Sequence, residues 1–87
     1  MDHVLEMILS VLKNNVSSAI LFGSRAKGTN TDRSDYDIAV SGVTDYDKLI
    51  EDIDNLDTLY SIDIVNLDEC TNHLLMEDIK KYGRKIL

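Results

Sequence analysis

Val4, Leu5, Ile8, Val11 and Leu12 recur at helical spacing and predict an amphipathic helix from Asp2 to Lys13, with Asn14-Asn15 as its stop. Ser18 to Phe22 is short and apolar enough for a central strand. Gly23 ends it, and Ser24 to Lys27 predicts one helical turn ahead of a polar loop from Gly28 to Ser34. From Asp35 to Val40 the pattern alternates. Asp35, Asp37 and Ala39 share one face of a strand, and Tyr36, Ile38 and Val40 share the other. Thr44 with Asp47 resembles a capping box, and Leu49, Ile50, Ile53 and Leu56 describe a helix to Leu56. Tyr60 to Asn66 alternates again, with Ile62 and Ile64 opposite Ser61, Asp63 and Val65. A final helix from Thr71 to Tyr82 presents Leu74, Leu75, Ile79 and Tyr82 to the core. Gly83 follows as its C′ residue, and Arg84 to Leu87 reads as coil or a short edge strand.

This order predicts an α/β (α+β) fold: a small mixed β-sheet with helices packed on one face. The second and third strands are parallel across the intervening helix. The first and second are antiparallel, because no full helix separates them. The free face carries Asp35, Asp37 and Asp63. A length of 87 residues predicts a single domain over 1–87.

Composition narrows the function. A net charge of −7 argues against general nucleic-acid binding, which needs clustered Lys and Arg. Arg25, Lys27 and Arg33 are a local exception, read either as solvated loop charges or as compensation for a bound triphosphate. The basic tail, Lys80 to Lys85, matches a helix C-terminal dipole. No apolar run approaches the ~20 residues of a membrane span. The N-terminal MDHVLEMILSVLK lacks a signal peptide's basic start and cleavage site, so a cytoplasmic protein is expected. The lone Cys70 reads as a buried or half-buried thiol.

The chemistry concentrates between Gly23 and Asp37, in GSRAKGTNTDRSDYD. A small residue and a hydroxyl at a strand exit can receive phosphate oxygens on backbone N–H groups. Two carboxylates at i and i+2 on a strand project together and suit Mg²⁺. Asp63, within the apolar Ile62-Asp63-Ile64-Val65, adds a third carboxylate to the same face. A buried unpaired carboxylate there costs several kcal/mol, which favours a functional reading. Thr29 stands where a P-loop needs Lys, and the residues after Asp37 lack the ligands and glycine of a calcium loop. His3 and His73 read as surface or helix-end residues.

Gly23-Ser24, ten intervening residues, Asp35-Tyr36-Asp37 and the later Asp63 resemble the DNA polymerase β-like nucleotidyltransferases, and more narrowly the minimal nucleotidyltransferase (MNT) group. That resemblance implies that Gly23 and Ser24 hold the β- and γ-phosphates of ATP. It implies that Asp35 and Asp37 coordinate two Mg²⁺ ions, and that Asp63 ligates one and helps deprotonate the acceptor hydroxyl. Arg25 would offset charge on the leaving pyrophosphate. Larger members carry added domains for primer, tRNA or antibiotic, for which 87 residues leave no room, so templated polymerisation is not expected. Short stand-alone members resemble antitoxins that transfer AMP to a tyrosine of a HEPN-domain ribonuclease toxin. Such a protein partner is expected here. Two alternatives stay open: a catalytically silent antitoxin acting by occlusion, and a transferase for a small-molecule hydroxyl.

Overall fold

Asp2 starts the first helix, its Oδ1 accepting the Leu5 N–H at 2.7 Å. The computed structural model describes residues 2–87, and Met1 lies outside them. The elements are α1 (His3–Leu12), β1 (Ser18–Phe22), α2 (Ser24–Lys27), β2 (Tyr36–Ser41), α3 (Tyr46–Asp54), β3 (Ile62–Asn66), α4 (His73–Tyr82) and β4 (Arg84–Lys85). Asn15 does more than stop α1. It is only 2% exposed, and its amide donates to the Val11 carbonyl at 2.9 Å and to Asp52 Oδ2 at 3.1 Å. Lys48 donates to its Oδ1 at 3.3 Å. A buried amide with its hydrogen bonds filled ties α1 to α3 at no net desolvation cost.

The strands form one mixed sheet in the order β3-β2-β1-β4. β1 and β2 are antiparallel, β2 and β3 parallel, and β4 adds an antiparallel edge beside β1. The tail that the sequence left as coil or edge strand is therefore paired, and the Ala19 N–H also donates to the Leu87 carbonyl at 3.0 Å.

On one face, Ala19, Leu21, Tyr36, Ile38 and Val40 pack with Leu5, Ile8 and Leu12 of α1 and Leu49 and Ile53 of α3. The predicted bare second face is corrected here. Phe22 and Ala39 pack there against Ile79 of α4, with Ile20, Val65 and Leu75 around them. The alternation of β2 and β3 makes this face look acidic. However, β1 is apolar on both sides, and Ile20 and Phe22 require a cover. α4 therefore hides the apolar half of the face and leaves the aspartate half open.

α4 meets the sheet through a narrow stripe, Leu75 and Ile79, four residues apart. Leu74, expected in the core, is 80% exposed, and Tyr82 is 42% exposed. Gly83 ends α4 in an extended conformation, φ −64° and ψ 146°, and not in the left-handed form of a C′ glycine. Glycine is needed there for close approach: a Cβ would strike the Ile79 carbonyl oxygen and lie 2.6 Å from Ile20 Cγ2.

The α3 cap is also displaced. Asp45 is the N-cap, accepting the Lys48 N–H at 3.2 Å, while Thr44 turns its hydroxyl to the Asn15 carbonyl at 3.4 Å. Asp45→Ala should cost about 1 kcal/mol in chemical unfolding. Thr44→Val should cost less, and the reverse order would return the cap to Thr44.

Candidate active site

The site assembles where β1 leaves the sheet and the parallel pair β2–β3 enters it. Phe22 opposes Asp37 across the antiparallel pair, and Asp37 stands level with Asp63 across the parallel one. Residues level on paired strands share a face. Asp35 lies two residues before Asp37, so alternation directs it to the same side.

The surroundings of the three carboxylates differ. Asp37 is half-buried, whereas Asp35 and Asp63 are exposed. The burial penalty that drew attention to Asp63 in the sequence therefore falls on Asp37 instead. β3 is an edge strand, and its aspartate reaches water. Burial pushes the Asp37 carboxyl above the ordinary aspartate value, and the charges of Asp63 and then Asp35 push it further. Among the described residues, no three His, Cys, Asp or Glu side chains close into a ready metal cage. Asp37 instead leans toward the end of β1.

That lean involves Gly23. Its backbone has φ 74° and ψ −156°, a region open essentially to glycine alone. A Cβ on Gly23 would overlap Asp37 Oδ2 and sit 3.0 Å from Asp37 Cγ. The glycine turn and the half-buried carboxylate are thus in direct contact. Gly23 then caps α2, its carbonyl accepting the Ala26 and Lys27 N–H groups at 3.2 and 3.1 Å. The N–H groups of Ser24 and Arg25 lie ahead of those bonds, at the start of the helical turn, where N–H groups have no intrahelical partner.

Arg25 is engaged within the chain. Its Nε and Nη2 donate to the Ser34 carbonyl at 3.1 and 2.9 Å. Its guanidinium lies 3.9 Å from the Tyr36 ring centroid and 5.2 Å from that of Tyr60. Tyr36 belongs to the face covered by α1 and α3, so the Arg25 charge sits on the far side of the strand from Asp37 and is absent from the influences on that carboxyl. Lys27 is closer to α4, paired with Asp78 at 3.0 Å.

Two cavities flank the segment 58–61, just ahead of β3. One of about 300 Å³ is lined by Asp63, Thr58 and Ile62, and one of about 410 Å³ by Asp35, Arg33 and Leu59; Tyr60 and Ser61 border both. Tyr60 stands edge-on to Tyr36, ring centroids 5.5 Å apart. Leu59 projects fully into solvent.

Residues 6–87 match the family described as Polymerase beta, Nucleotidyltransferase. Among solved structures, the chain is similar to a toxin–antitoxin complex crystallised with AMP-PNP. The identity is 25% and the TM-score 0.67, over 94% of this chain and 71% of that one. Two mutants of the MntA-HpeT toxin–antitoxin share the fold. One carries two Asp-to-Glu changes (23% identity, TM-score 0.66, 94% and 71% coverage). The other carries a Tyr-to-Ala change (24%, 0.65, 95% and 71%). No curated protein sequence matches the chain significantly. With 6–87 matched and the mixed sheet in place, the chain belongs to the polymerase β nucleotidyltransferase family.

Proposed function

We propose that this protein is an antitoxin that transfers AMP from ATP to a tyrosine hydroxyl of a HEPN-family ribonuclease toxin. The observation that carries the reading is the contact of Gly23 with Asp37, in a row that continues to Asp63. It sets a phosphate-receiving turn against a group of carboxylates, the two parts that nucleotidyl transfer needs side by side. The similar toxin–antitoxin complex crystallised with AMP-PNP supports both the nucleotide and the class of partner.

The backbone N–H groups of Ser24 and Arg25 receive the β- and γ-phosphates at the Gly23 turn. The acceptor hydroxyl approaches on the Asp63 side, where the carboxylate is exposed and an open cavity adjoins it. Asp63 takes the proton as the hydroxyl oxygen bonds to the α-phosphorus. The bond from that phosphorus to the bridging oxygen breaks, and pyrophosphate leaves with its electron pair. Asp35, Asp37 and Asp63 are hard oxygen donors, and their mutual repulsion, expressed on Asp37, suits a divalent cation. Two Mg²⁺ ions held by them would supply Lewis-acid stabilisation of the attacking and leaving oxygens. An ATP-dependent role against a ribonuclease puts the protein in the cytoplasm. Among the described residues no helix is long and apolar enough to cross a membrane.

The test is transfer of label from ATP labelled at the α-phosphate to the cognate HEPN-family ribonuclease. Label on a tyrosine of that partner, lost with Asp35→Asn/Asp37→Asn, is the expected result. No transfer by the wild type with cognate partner and Mg²⁺ present would sink the reading. Full neutralisation of the toxin in cells by the double variant would instead favour simple occlusion.

A further inference from the structure

We propose that Arg25 is a positioning residue: its guanidinium anchors the peptide ahead of Asp35 to the phosphate turn and so sets where that carboxylate stands. Its catalytic consequence rests on the function proposed above, but the anchoring itself does not. Asp37 lies within β2 and is held by the strand ladder on both sides. Asp35 lies outside β2, at the end of the exposed loop from Gly28 to Ser34. The first bond of the strand is the Tyr36 N–H to the Ser61 carbonyl at 2.9 Å. Ahead of Asp35, the Ser34 carbonyl accepts two N–H groups of Arg25. Asp35 is thus pinned between one ladder bond and one guanidinium. Arg25 itself follows Ser24 in α2, so the anchor runs from the phosphate turn to the first carboxylate.

The anchor is built for arginine. Two donors converge on one carbonyl while the flat guanidinium lies against the Tyr36 ring, and Tyr60 stands edge-on beside that ring. An ammonium can supply the charge but not the planar fork or the stacking. The loop's own bonds centre on the anchored residue: the Thr31 N–H donates to Ser34 Oγ at 2.9 Å, and the Ser34 N–H to the Thr31 carbonyl at 3.2 Å. Releasing Ser34 loosens the segment that carries Asp35, and a shift of about 1 Å at a reacting centre can cost about a hundredfold in rate.

Arg25→Lys and Arg25→Gln separate anchoring from simple charge. In the free protein, without nucleotide, both should speed amide hydrogen exchange at Thr31 and Ser34 by about tenfold or more, while ladder amides such as Leu21 and Ile38 stay protected. In the transfer assay, both should lower kcat by about tenfold or more with the KM for ATP changed less than about threefold. If Arg25→Lys keeps wild-type kcat and Arg25→Gln mainly raises the KM, the guanidinium serves as phosphate charge and the proposal is overturned. Unchanged exchange at Thr31 and Ser34 overturns it as well. Should either variant lose ladder protection, Tyr60→Leu, which removes only the farther ring, takes its place with the same expected exchange and kcat changes. Absence of transfer by the wild type would count against the proposed function, while the exchange result still decides the anchor.

Discussion

Asp37→Asn is expected to lower nucleotidyl transfer by about a thousandfold or more, the scale of losing several kcal/mol of transition-state stabilisation. The same change should make the fold more stable. Asp37 is half-buried at the end of β1, level with Asp63, and its carboxyl is raised by burial first and then by Asp63 and Asp35. The folded chain therefore keeps a proton at pH values where the unfolded chain has released it. Stability from this group is full below the ordinary aspartate range and is lost as pH rises through the raised folded value. The amide has no such titration. Thermal unfolding with chelator present should show the variant gaining on the wild type as pH rises above the ordinary aspartate value of about 4. A wild type that loses nothing relative to the variant as pH rises would mean that Asp37 carries neither burial nor like-charge strain.

Gly23→Ala should damage fold and chemistry together. The backbone at φ 74° and ψ −156° penalises any side chain by about 1–3 kcal/mol. The added methyl also claims the space held by the Asp37 carboxylate. Relief requires either α2 or the Asp37 side chain to move, and either movement separates the turn from the carboxylates. Transfer is expected to fall by about a hundredfold, with stability lowered in urea unfolding by the backbone penalty. Glycine at Gly28, which also has positive φ, gives the control: a Cβ there meets nothing within 4 Å. Gly28→Ala should thus show the backbone cost without the loss of transfer. Equal activity losses at the two positions would argue against the Gly23–Asp37 contact.

The elements were largely legible because their signals are local. The β1 run ends at a glycine, β2 alternates, and α1 and α3 carry apolar spacing that their neighbours in the chain define. The α3 cap was misplaced by one residue. Thr44 and Asp45 are both cap formers, and the choice lay in backbone angles set by the Thr44–Asn15 contact between distant segments. The bare second face was inferred from β2 and β3 alone, whereas β1, apolar on both sides, demanded α4. The charge of Arg25 is legible in the sequence, but the direction of a loop-facing side chain depends on where the loop returns. It returns to Ser34 and Tyr36.

The structure brings the candidate carboxylates Asp35, Asp37 and Asp63 to one face, with environments unlike those the sequence suggests. Strand order made Asp63 an exposed edge residue and left Asp37 as the strained one. By itself the sequence determined the order and type of elements, the glycine at the strand exit and the two carboxylates at i and i+2. These follow from spacing and alternation within a few residues. Only the tertiary structure decided that Asp63 stands level with Asp37, that Gly23 touches that carboxylate, and that Arg25 points away from both. Register between strands, and the burial and charge that come with it, are set by how the two faces of the sheet pack, which no local pattern encodes.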